Sequence, residues 1–529
     1  MLVTVMKTLM PLFTVMSRIY FTLVSCFFTF IYHFLSRKVI SAPRDKLLTI
    51  SATQAAQMIR NRKITSFSLV EAYIKRIKEV NGTINAVVQM NFEDALIKAQ
   101  EIDEILHSAA KINFFPSKNM RKMKLKPLLG VPFTLKDSIE VDGLYCTVGI
   151  SYRKKMKDAG AVLLAVTNVP EVCMWWESVN VVYGRTRNPY DSRRISGGSS
   201  GGEAALISAA GSVIGIGSDI AGSIRMPCYF NGIFGLKPTP GLVPLEGHLP
   251  LLNGYRTEKM LLIGPMCRYA EDLSILLRVF AGSEGTNLLQ MDAPFNMKKM
   301  HIFYMEGLKT PLVQDVNGEA LQALKKEIRY FEIKYDLCAV RIDPPLVHYA
   351  LEFFLTSMDV ADAPKFAMHM TDLKMNINCF VELFKWLMGK SMHTLPAIIT
   401  GIMDEHFAPF NEEQKQKVFL GNLYYNLNQR DRLSREVEEL LSDNGILLFP
   451  SFPTAAPYHH QPLFTPLNFA YTALWNTLAL PVVQCPVGLN THNIPLGIQV
   501  IGAPGSDSLL AIVAQDLEKG FGGWKPLNT

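Results

Sequence analysis

Residues 196–241 most restrict how this chain folds, because glycine and other small residues dominate them. Glycine tolerates positive φ and has no Cβ, so such a stretch allows tight turns and close approach of backbone segments. Two serine clusters lie within it: Gly197-Gly198-Ser199-Ser200-Gly201-Gly202 and Ser218-Asp219-Ile220-Ala221-Gly222-Ser223-Ile224-Arg225. We therefore expect tight turns that hold hydroxyl groups close to backbone N–H groups.

A lysine upstream of both clusters is a candidate base. Lys136 follows the apolar residues 128–135, which predict a strand. A lysine in water has a pKa of about 10.4, but burial lowers this pKa and makes the amine a base near neutral pH. Asp137 follows directly, so Lys136 taken alone fits a surface position better than a buried one.

Other site types fit the serine clusters less well. Gly198, Ser200 and Gly202 match G-x-S-x-G, but that hydrolase turn needs a preceding strand, and residues 190–194 are mostly polar. A phosphate-binding loop would need a lysine after the glycines, and none follows. The later cluster could present backbone N–H groups to an oxyanion.

The histidines and cysteines add no motif of their own. No spacing ties the histidines to the serines, so a Ser-His-Asp site is not supported. The eight cysteines contain no CxxC pair, so we expect neither disulfides nor a structural zinc site. The histidines downstream of the serine clusters that such a site would need are His248, His459 and His460.

The order of the lysine and the two serine clusters resembles the amidase signature family, from about Leu48 to Trp524. Four further segments look like landmarks of that family: residues 167–171, 183–189, 235–239 and 495–499. The resemblance implies one α/β domain, residues 48–529, with a twisted mixed β-sheet core covered by helices. It also implies amide hydrolysis by a Ser–cis-Ser–Lys triad, with no metal and no organic cofactor.

Carried onto this sequence, the resemblance implies Ser223 as the nucleophile, Ser199 as the bridging serine on a cis peptide, and neutral Lys136 as the base. A neighbouring base must take the proton of a hydroxyl before it can attack, and the same relay reversed protonates the leaving amine. Further residues have implied roles: the backbone N–H groups of Ile220, Ala221, Gly222 and Ser223 in the oxyanion hole, Cys173 near the leaving group, and Ser200, Asp219 and Arg225 as supports.

The chain departs from the family pattern in two places. Ala221 stands where the family has glycine, and its methyl group would disfavour a positive φ in the oxyanion turn. Residues 147–168 are also short by about three helical turns. We expect this shortening to disturb packing near Lys136 more than it disturbs the serines.

Residues 1–47 predict a membrane anchor with a basic flank. Residues 19–35 have no formal charge and are about as long as the shortest spanning helices. A cleaved signal peptide is the alternative, but residues 39–43 make a poor cleavage site. Residues 1–50 hold a net charge of +5 of the total +6. The nearly neutral remainder gives no support for a nucleic-acid partner.

Residues 380–403 form an apolar segment with two possible interpretations. One is a buried helical hairpin broken at Pro396, and the other is a cap that lies on a membrane. Together with the anchor and the apolar segment, the family resemblance implies lipid substrates, namely primary or N-substituted fatty-acid amides. We expect a single-pass protein of the endoplasmic reticulum or lipid droplet. The resemblance is compatible with a homodimer. A catalytically silent lipid-binding homologue and an amidase for small polar amides are the alternatives.

Overall fold

An 11-stranded mixed β-sheet flanked by helices forms the centre of the protein. The structure is a computed structural model, and it describes residues 2–111, 125–139, 150–250, 256–358, 364–406, 420–442 and 444–526. The strand order is β1-β3-β2-β6-β8-β7-β12-β13-β11-β9-β10, and a separate hairpin pairs β4 with β5. The strands are β1 Val87–Met90, β2 Pro132–Lys136, β3 Val162–Thr167, β4 Val179–Asn180, β5 Gly184–Arg185, β6 Ile214–Asp219, β7 Phe234–Lys237, β8 Leu262–Cys267, β9 His301–Tyr304, β10 Ala339–Arg341, β11 Gly445–Pro450, β12 Val482–Leu489 and β13 Pro495–Gly502.

Parallel and antiparallel pairs occur in the same sheet, which confirms the predicted mixed α/β fold. Strand β2 lies between β3 and β6 and runs parallel to both. Every residue of these three strands is buried, as expected for strands covered on both faces. Their carboxyl ends therefore meet at one edge of the sheet.

Helices connect and cover the strands in the described parts of the chain. Local capping fixes several of their starts: the Thr65 hydroxyl accepts from Ser68 N, and the Asn317 side chain accepts from Ala320 N. The helices are α1 Leu2–His33, α2 Ala52–Arg60, α3 Ser66–Ile84, α4 Phe92–Lys111, α5 Ile150–Asp158, α6 Gly201–Ser208, α7 Arg225–Asn231, α8 Glu271–Leu288, α9 Gly318–Tyr335, α10 Ala350–Met358, α11 Phe366–His369, α12 Cys379–Leu387, α13 Leu395–His406, α14 Leu420–Leu441, α15 Ala470–Thr477 and α16 Asp507–Phe521.

The strand predicted over residues 128–135 begins later than expected. Residues 128–131 form a turn in which Val131 N donates to Leu128 O at 3.1 Å. Leu128 N also donates to Ala159 O at 2.9 Å, which joins this turn to the end of α5. The strand itself runs from Pro132 to Lys136 and retains the lysine at its carboxyl end.

The segment after Lys136 does not disturb the packing as expected. Residues 147–149 of the short region lie outside the described residues, and α5 then leads directly into β3. Strands β2 and β3 pair from Pro132 opposite Val162 to Lys136 opposite Thr167, with one register shift. Lys136 is 0% exposed. The described part of this region therefore holds the lysine in place.

The apolar segment 380–403 is a pair of helices, α12 and α13, which we call the cap. Its helices are separated by residues 388–394, so the predicted break at Pro396 is wrong. Pro396 lies in the first turn of α13, where a proline costs no intrahelical hydrogen bond. The buried interpretation also fails for much of the cap. Its large exposed side chains are Phe380, Val381, Phe384, Trp386, Leu387, Met388, Met392 and Met403.

Helix α1 contains the one candidate membrane span found in the described residues, Pro11–His33. Only 11% of its most apolar window is buried against the rest of the protein. Val24, Phe28 and Tyr32 nevertheless form a small buried cluster with Tyr458. The helix is therefore apolar on its outside and attached to the body on one side.

Candidate active site

Two adjacent parallel strands bring the predicted base next to hydroxyl groups. Lys136 is the last residue of β2, and Ser218 is the last but one of β6. Lys136 Nζ lies 2.7 Å from Ser199 Oγ and 2.8 Å from Ser218 Oγ. The amine is thus held between a predicted site residue and a serine to which the sequence had assigned no role.

Burial makes Lys136 a plausible base. Removal from water lowers the pKa of its amine, while Cys173, Asp219 and Glu203 oppose this shift. Burial raises the pKa of Glu203 to about 7, and hydrogen bonds from Thr134 and Thr167 oppose that shift. A Cβ on Gly215 would lie 1.7 Å from Glu203 Oε1, so glycine in β6 makes room for this carboxyl group.

The Ser199 loop is held by its neighbours in a defined conformation, and the Gly198–Ser199 peptide bond is cis. Ser178 Oγ donates to Gly197 O at 3.0 Å and accepts from Gly201 N at 3.1 Å. These bonds fix the backbone on both sides of the serine pair.

Ser200 joins the two serine clusters. Its backbone N donates to Ser223 O at 3.2 Å, and its hydroxyl donates to Ser218 O at 3.4 Å. These contacts hold the loop carrying Ser199 against the turn carrying Ser223. The supporting role of Ser200 stays a prediction.

Asp219 and Arg225 organise the turn before Ser223. The Asp219 carboxylate accepts from Gly222 N at 2.7 Å and from Ile224 N at 3.1 Å. Burial alone would raise the pKa of Asp219, but the Arg225 guanidinium beside it holds that pKa well below its usual range. The Arg225 guanidinium donates two bonds of 3.0 Å to this carboxylate and another to Gln499 Oε1 at 2.7 Å.

The expected effect of Ala221 is wrong, because the positive φ falls on the next residue. Gly222 has a φ of +121°, and Ala221 is not among the residues with positive φ. A Cβ on Gly222 would lie 2.0 Å from Thr472 Oγ1. That hydroxyl donates to Ala221 O at 2.6 Å. The turn therefore accepts alanine at 221 and needs glycine at 222.

Three serines, Ser199, Ser218 and Ser223, line the same small cavity. Ser223, the predicted nucleophile, is 8% exposed there. Cys173 also faces the cavity, and burial raises the pKa of its thiol, so the thiol stays neutral. The lining residues are Val172, Cys173, Met174, Ser199, Ser218, Ile220, Ser223, His248, Pro250 and Leu261.

Sequence reasoning missed Ser218 and His248. His248 Nε2 lies 2.8 Å from Ser218 Oγ, so the histidine reaches Lys136 through that hydroxyl. Burial and the nearby Lys136 lower the pKa of His248 to about 3, so its ring is neutral at physiological pH. Ser218 stands next to Asp219 within the quoted motif, whereas no local sequence signal marks His248.

The other two candidate histidines lie elsewhere. His459 Nδ1 is 2.7 Å from Glu177 Oε1, and His460 N donates to Glu177 Oε2 at 3.2 Å. They belong to the attachment of α1 rather than to the serine cavity, because Tyr32 Oη donates to His459 O at 2.9 Å. No group of three metal-binding side chains occurs among the described residues.

Comparison with known proteins shows which family the chain belongs to. The family model "Amidase" matches residues 68–511. Fatty-acid amide hydrolase 2 of Homo sapiens is 40% identical over 500 residues, covering 91% of this chain and 90% of that protein. Fatty-acid amide hydrolase 2-A of Danio rerio is 39% identical over 503 residues, covering 91% of this chain and 90% of that protein.

Solved structures share the fold at lower sequence identity. A structure of fatty acid amide hydrolase has a TM-score of 0.68 at 20% identity and covers 90% of this chain and 86% of its own. A 6-aminohexanoate cyclic dimer hydrolase complexed with substrate has a TM-score of 0.69 at 22% identity, with coverages of 90% and 97%. By the family match and the two relatives, the chain belongs to the amidase signature family of amide-hydrolysing enzymes.

Proposed function

We propose that this protein is a membrane-associated serine hydrolase that cleaves fatty-acid amides to fatty acid and amine. The contact between buried Lys136 and Ser199, in a cavity shared with Ser223, carries the proposal. The names of the 40% and 39% identical relatives support the lipid amide class. The catalytic domain comprises residues 48–529, and residues 1–47 attach it to the membrane of the endoplasmic reticulum or lipid droplet.

Acylation begins with a proton relay. Ser199 takes the proton of Ser223 as its own proton passes to the neutral amine of Lys136, and Ser223 Oγ attacks the amide carbon. The relay then runs backwards and protonates the leaving nitrogen, which leaves an acyl-enzyme on Ser223. A water molecule attacks the acyl-enzyme by the same relay and releases the fatty acid.

The turn before Ser223 supplies donors for the oxyanion. The N–H of Gly222 already donates to Asp219, so we assign the oxyanion hole to the N–H groups of Ile220, Ala221 and Ser223. Gly222 keeps the turn in place through that bond. Arg225 acts through Asp219, because it holds the carboxylate that fixes the turn.

The surroundings of the cavity favour an apolar acyl chain. Val172, Met174, Ile220 and Leu261 line it, and the exposed cap offers apolar surface for a membrane. The cap is tied to the cavity wall, because Thr394 N and Thr394 Oγ1 donate to Glu171 Oε2 at 2.8 and 2.9 Å. A lipid amide can therefore enter from the membrane beside the reacting serine.

Labelling with a fluorophosphonate tests the nucleophile. In detergent, the full chain should be labelled and should hydrolyse oleamide, whereas Ser223→Ala should lose both by at least about 10³-fold. Ser283→Ala is the matched control, because Ser283 is an exposed serine of α8 outside the cavity. Labelling of Ser223→Ala at the wild-type level would exclude Ser223 as the nucleophile.

A chain-length series separates the alternatives. Turnover that rises from short to long acyl amides supports the lipid substrate, and a preference for short amides supports the polar-amide alternative. Wild-type protein that binds oleamide but is never labelled would instead be a silent lipid-binding homologue.

A further inference from the structure

Helix α1 is docked along the body of the protein over half its length. Tyr32 stacks on Tyr458 with ring centroids 4.8 Å apart, and Phe28 packs edge-on to Phe464 at 5.4 Å. Tyr20 Oη donates to Phe464 O at 2.9 Å. These contacts join one face of α1 to residues 458–464, more than 400 positions later in the chain.

The carboxyl end of α1 is capped by the body. Arg193 donates to Tyr32 O at 3.1 Å and to Leu35 O at 3.4 Å, which satisfies carbonyl groups that the last helical turn leaves free. The Asp191 carboxylate accepts two bonds of 2.9 Å from the same guanidinium. The carboxyl end of α1 is therefore held on the body by specific hydrogen bonds.

The opposite face of α1 is an apolar stripe. Its members recur every three or four residues, so they lie on one side of the helix, roughly opposite the docked residues Phe21, Val24, Phe28 and Tyr32. Each member is more than half exposed. The stripe consists of Leu12, Met16, Ile19, Leu23, Phe27, Phe30 and Phe34.

Docking leaves too little free helix for a conventional span. From Arg18 to Tyr32 the helix advances about 21 Å along the body, at 1.5 Å per residue. A crossing helix needs about 20 apolar residues free of hydrated protein. Arg18 Nε donates to Asp315 Oδ2 at 2.7 Å, so only residues 11–17 of the candidate span Pro11–His33 precede the docked part.

The basic residues that follow α1 indicate that a lipid bilayer, rather than another protein, covers the stripe. No acidic residue precedes Asp45, and exposed Arg37, Lys38, Arg44 and Lys46 follow the helix. Such a basic flank is attracted to anionic lipid headgroups. A second copy of this chain would gain nothing from that charge.

The stripe-bearing helix and the cap attach to the same short segment. The cap binds Glu171 through Thr394, and α1 reaches Glu177 through Tyr32 and His459. Six residues span at most about 22 Å, so both attachments lie within that distance. Cys173 and Met174, between them, line the catalytic cavity.

We propose that α1 lies in the plane of the membrane, with the stripe immersed in lipid, the opposite face docked on the body, and the amino terminus on the same side as the catalytic cavity. This differs from the single-pass span expected from the sequence. It rests on the membrane association in the proposed function and adds the manner of attachment. Helix α1 and the cap then form one lipid-facing surface beside the cavity.

Depth-dependent fluorescence quenching tests the orientation. In the full chain with Cys26→Ser, Cys146→Ser, Cys173→Ser and Cys338→Ser, a fluorophore is placed on a single introduced cysteine at position 19, 23, 27, 30 or 34. The protein is then bound to phosphatidylcholine–phosphatidylserine vesicles that contain lipids brominated at different depths. An in-plane helix gives equal, shallow quenching at all five positions. Quenching that is deepest at positions 23 and 27 and weakest at 19 and 34 would overturn the proposal.

Paired substitutions test the stripe itself. Leu23→Glu and Phe30→Glu should each weaken vesicle binding by roughly tenfold or more, because each removes a buried apolar side chain from lipid. Thr22→Glu and Thr29→Glu are matched controls one residue away, exposed and outside the stripe; these should change binding by less than about threefold.

Two outcomes would contradict the lipid assignment. Equal losses in stripe and control variants would exclude it, as would an unquenched stripe together with dimerisation of the protein in solution. Oleamide hydrolysis in detergent should be unchanged in all four glutamate variants. That measurement separates failure of the membrane proposal from failure of the proposed enzyme activity.

Discussion

Two strands of the sheet end in a fully buried lysine, but the two amines have different neighbours. Lys136 ends β2 and Lys237 ends β7, each directly after a leucine and each 0% exposed. Lys136 Nζ contacts two serine hydroxyls. Lys237 Nζ has no hydrogen-bond partner among the residues that the structure describes.

Burial acts in the same direction on both lysines. It lowers the pKa of Lys136, and it lowers the pKa of Lys237 to about 7, with Arg225 adding to this shift and Asp219 and Asp507 opposing it. Burial therefore favours the unprotonated form of the amine at both places. The hydroxyl neighbours distinguish them, because Lys136 contacts two serine hydroxyls and Lys237 contacts no hydrogen-bonding group in the described part of the chain.

The largest expected effect is the contrast between Lys136→Met and Lys237→Met. Loss of the base should reduce kcat for oleamide by about 10³-fold or more, since acid–base catalysis typically contributes 10²- to 10⁴-fold. Lys237→Met should change kcat by less than about tenfold. Steady-state kinetics and fluorophosphonate labelling measure both variants. Equal losses would remove the distinction between the two lysines.

A smaller effect should follow from changing what surrounds Lys136. When Ser218 donates to His248 Nε2, its oxygen accepts from the Lys136 amine, which leaves the amine lone pair for Ser199. His248→Ala should therefore lower kcat by roughly 10- to 100-fold with little change in KM. It should also shift the pH profile of kcat, since the protonation of Lys136 is coupled to this hydrogen-bond chain.

A double-mutant cycle controls the His248 prediction. Ser218→Ala with His248→Ala should lose no more activity than the worse single variant, because both act through the same bond. His301→Ala, at an exposed histidine of β9, is the matched control. Additive losses in the double variant would show that His248 acts independently of Ser218.

The smallest expected effect is the change in the free energy of unfolding when Lys237 is replaced. Lys237→Met should raise the free energy of unfolding by about 1–3 kcal/mol near pH 7, the usual cost of an unpaired buried donor. Between pH 7 and about 10.4, unfolded wild type binds the proton that the folded lysine has lost, so wild-type stability rises with pH. The advantage of Lys237→Met should therefore shrink as pH increases.

Denaturant unfolding in detergent at about pH 7 and about pH 9 measures this trend. Lys237→Arg keeps the charge and is the control, and we expect it to be destabilising because the guanidinium stays protonated. A destabilising effect of Lys237→Met that stays the same at both pH values would mean that Lys237 is charged and paired in the folded protein.

The lysine and serines of the candidate site could be placed from sequence because they lie in ordered motifs. Their surroundings could not. Ser218 contacts Lys136 across 82 positions, and His248 contacts Ser218 across 30, and both contacts depend on which strands are neighbours in the sheet. No local pattern reports strand order.

The fold shows the same division between local and distant information. Apolar runs located α1, the cap and most of β2, because periodicity and hydropathy are local properties. The break in the cap was misplaced because a proline ends some helices and begins others. The docked face of α1 was invisible in sequence, since its partners in residues 458–464 are more than 400 positions away.

Docking of α1 has a practical consequence for shortened forms of the protein. Removal of residues 1–37 would take away the rings that cover Tyr458 and Phe464, together with the carbonyl groups that Arg193 binds. The remaining chain would expose a new apolar patch beside its exposed cap, and exposed apolar patches favour self-association. Deletion of the amino terminus would therefore promote aggregation, rather than release a freely soluble enzyme.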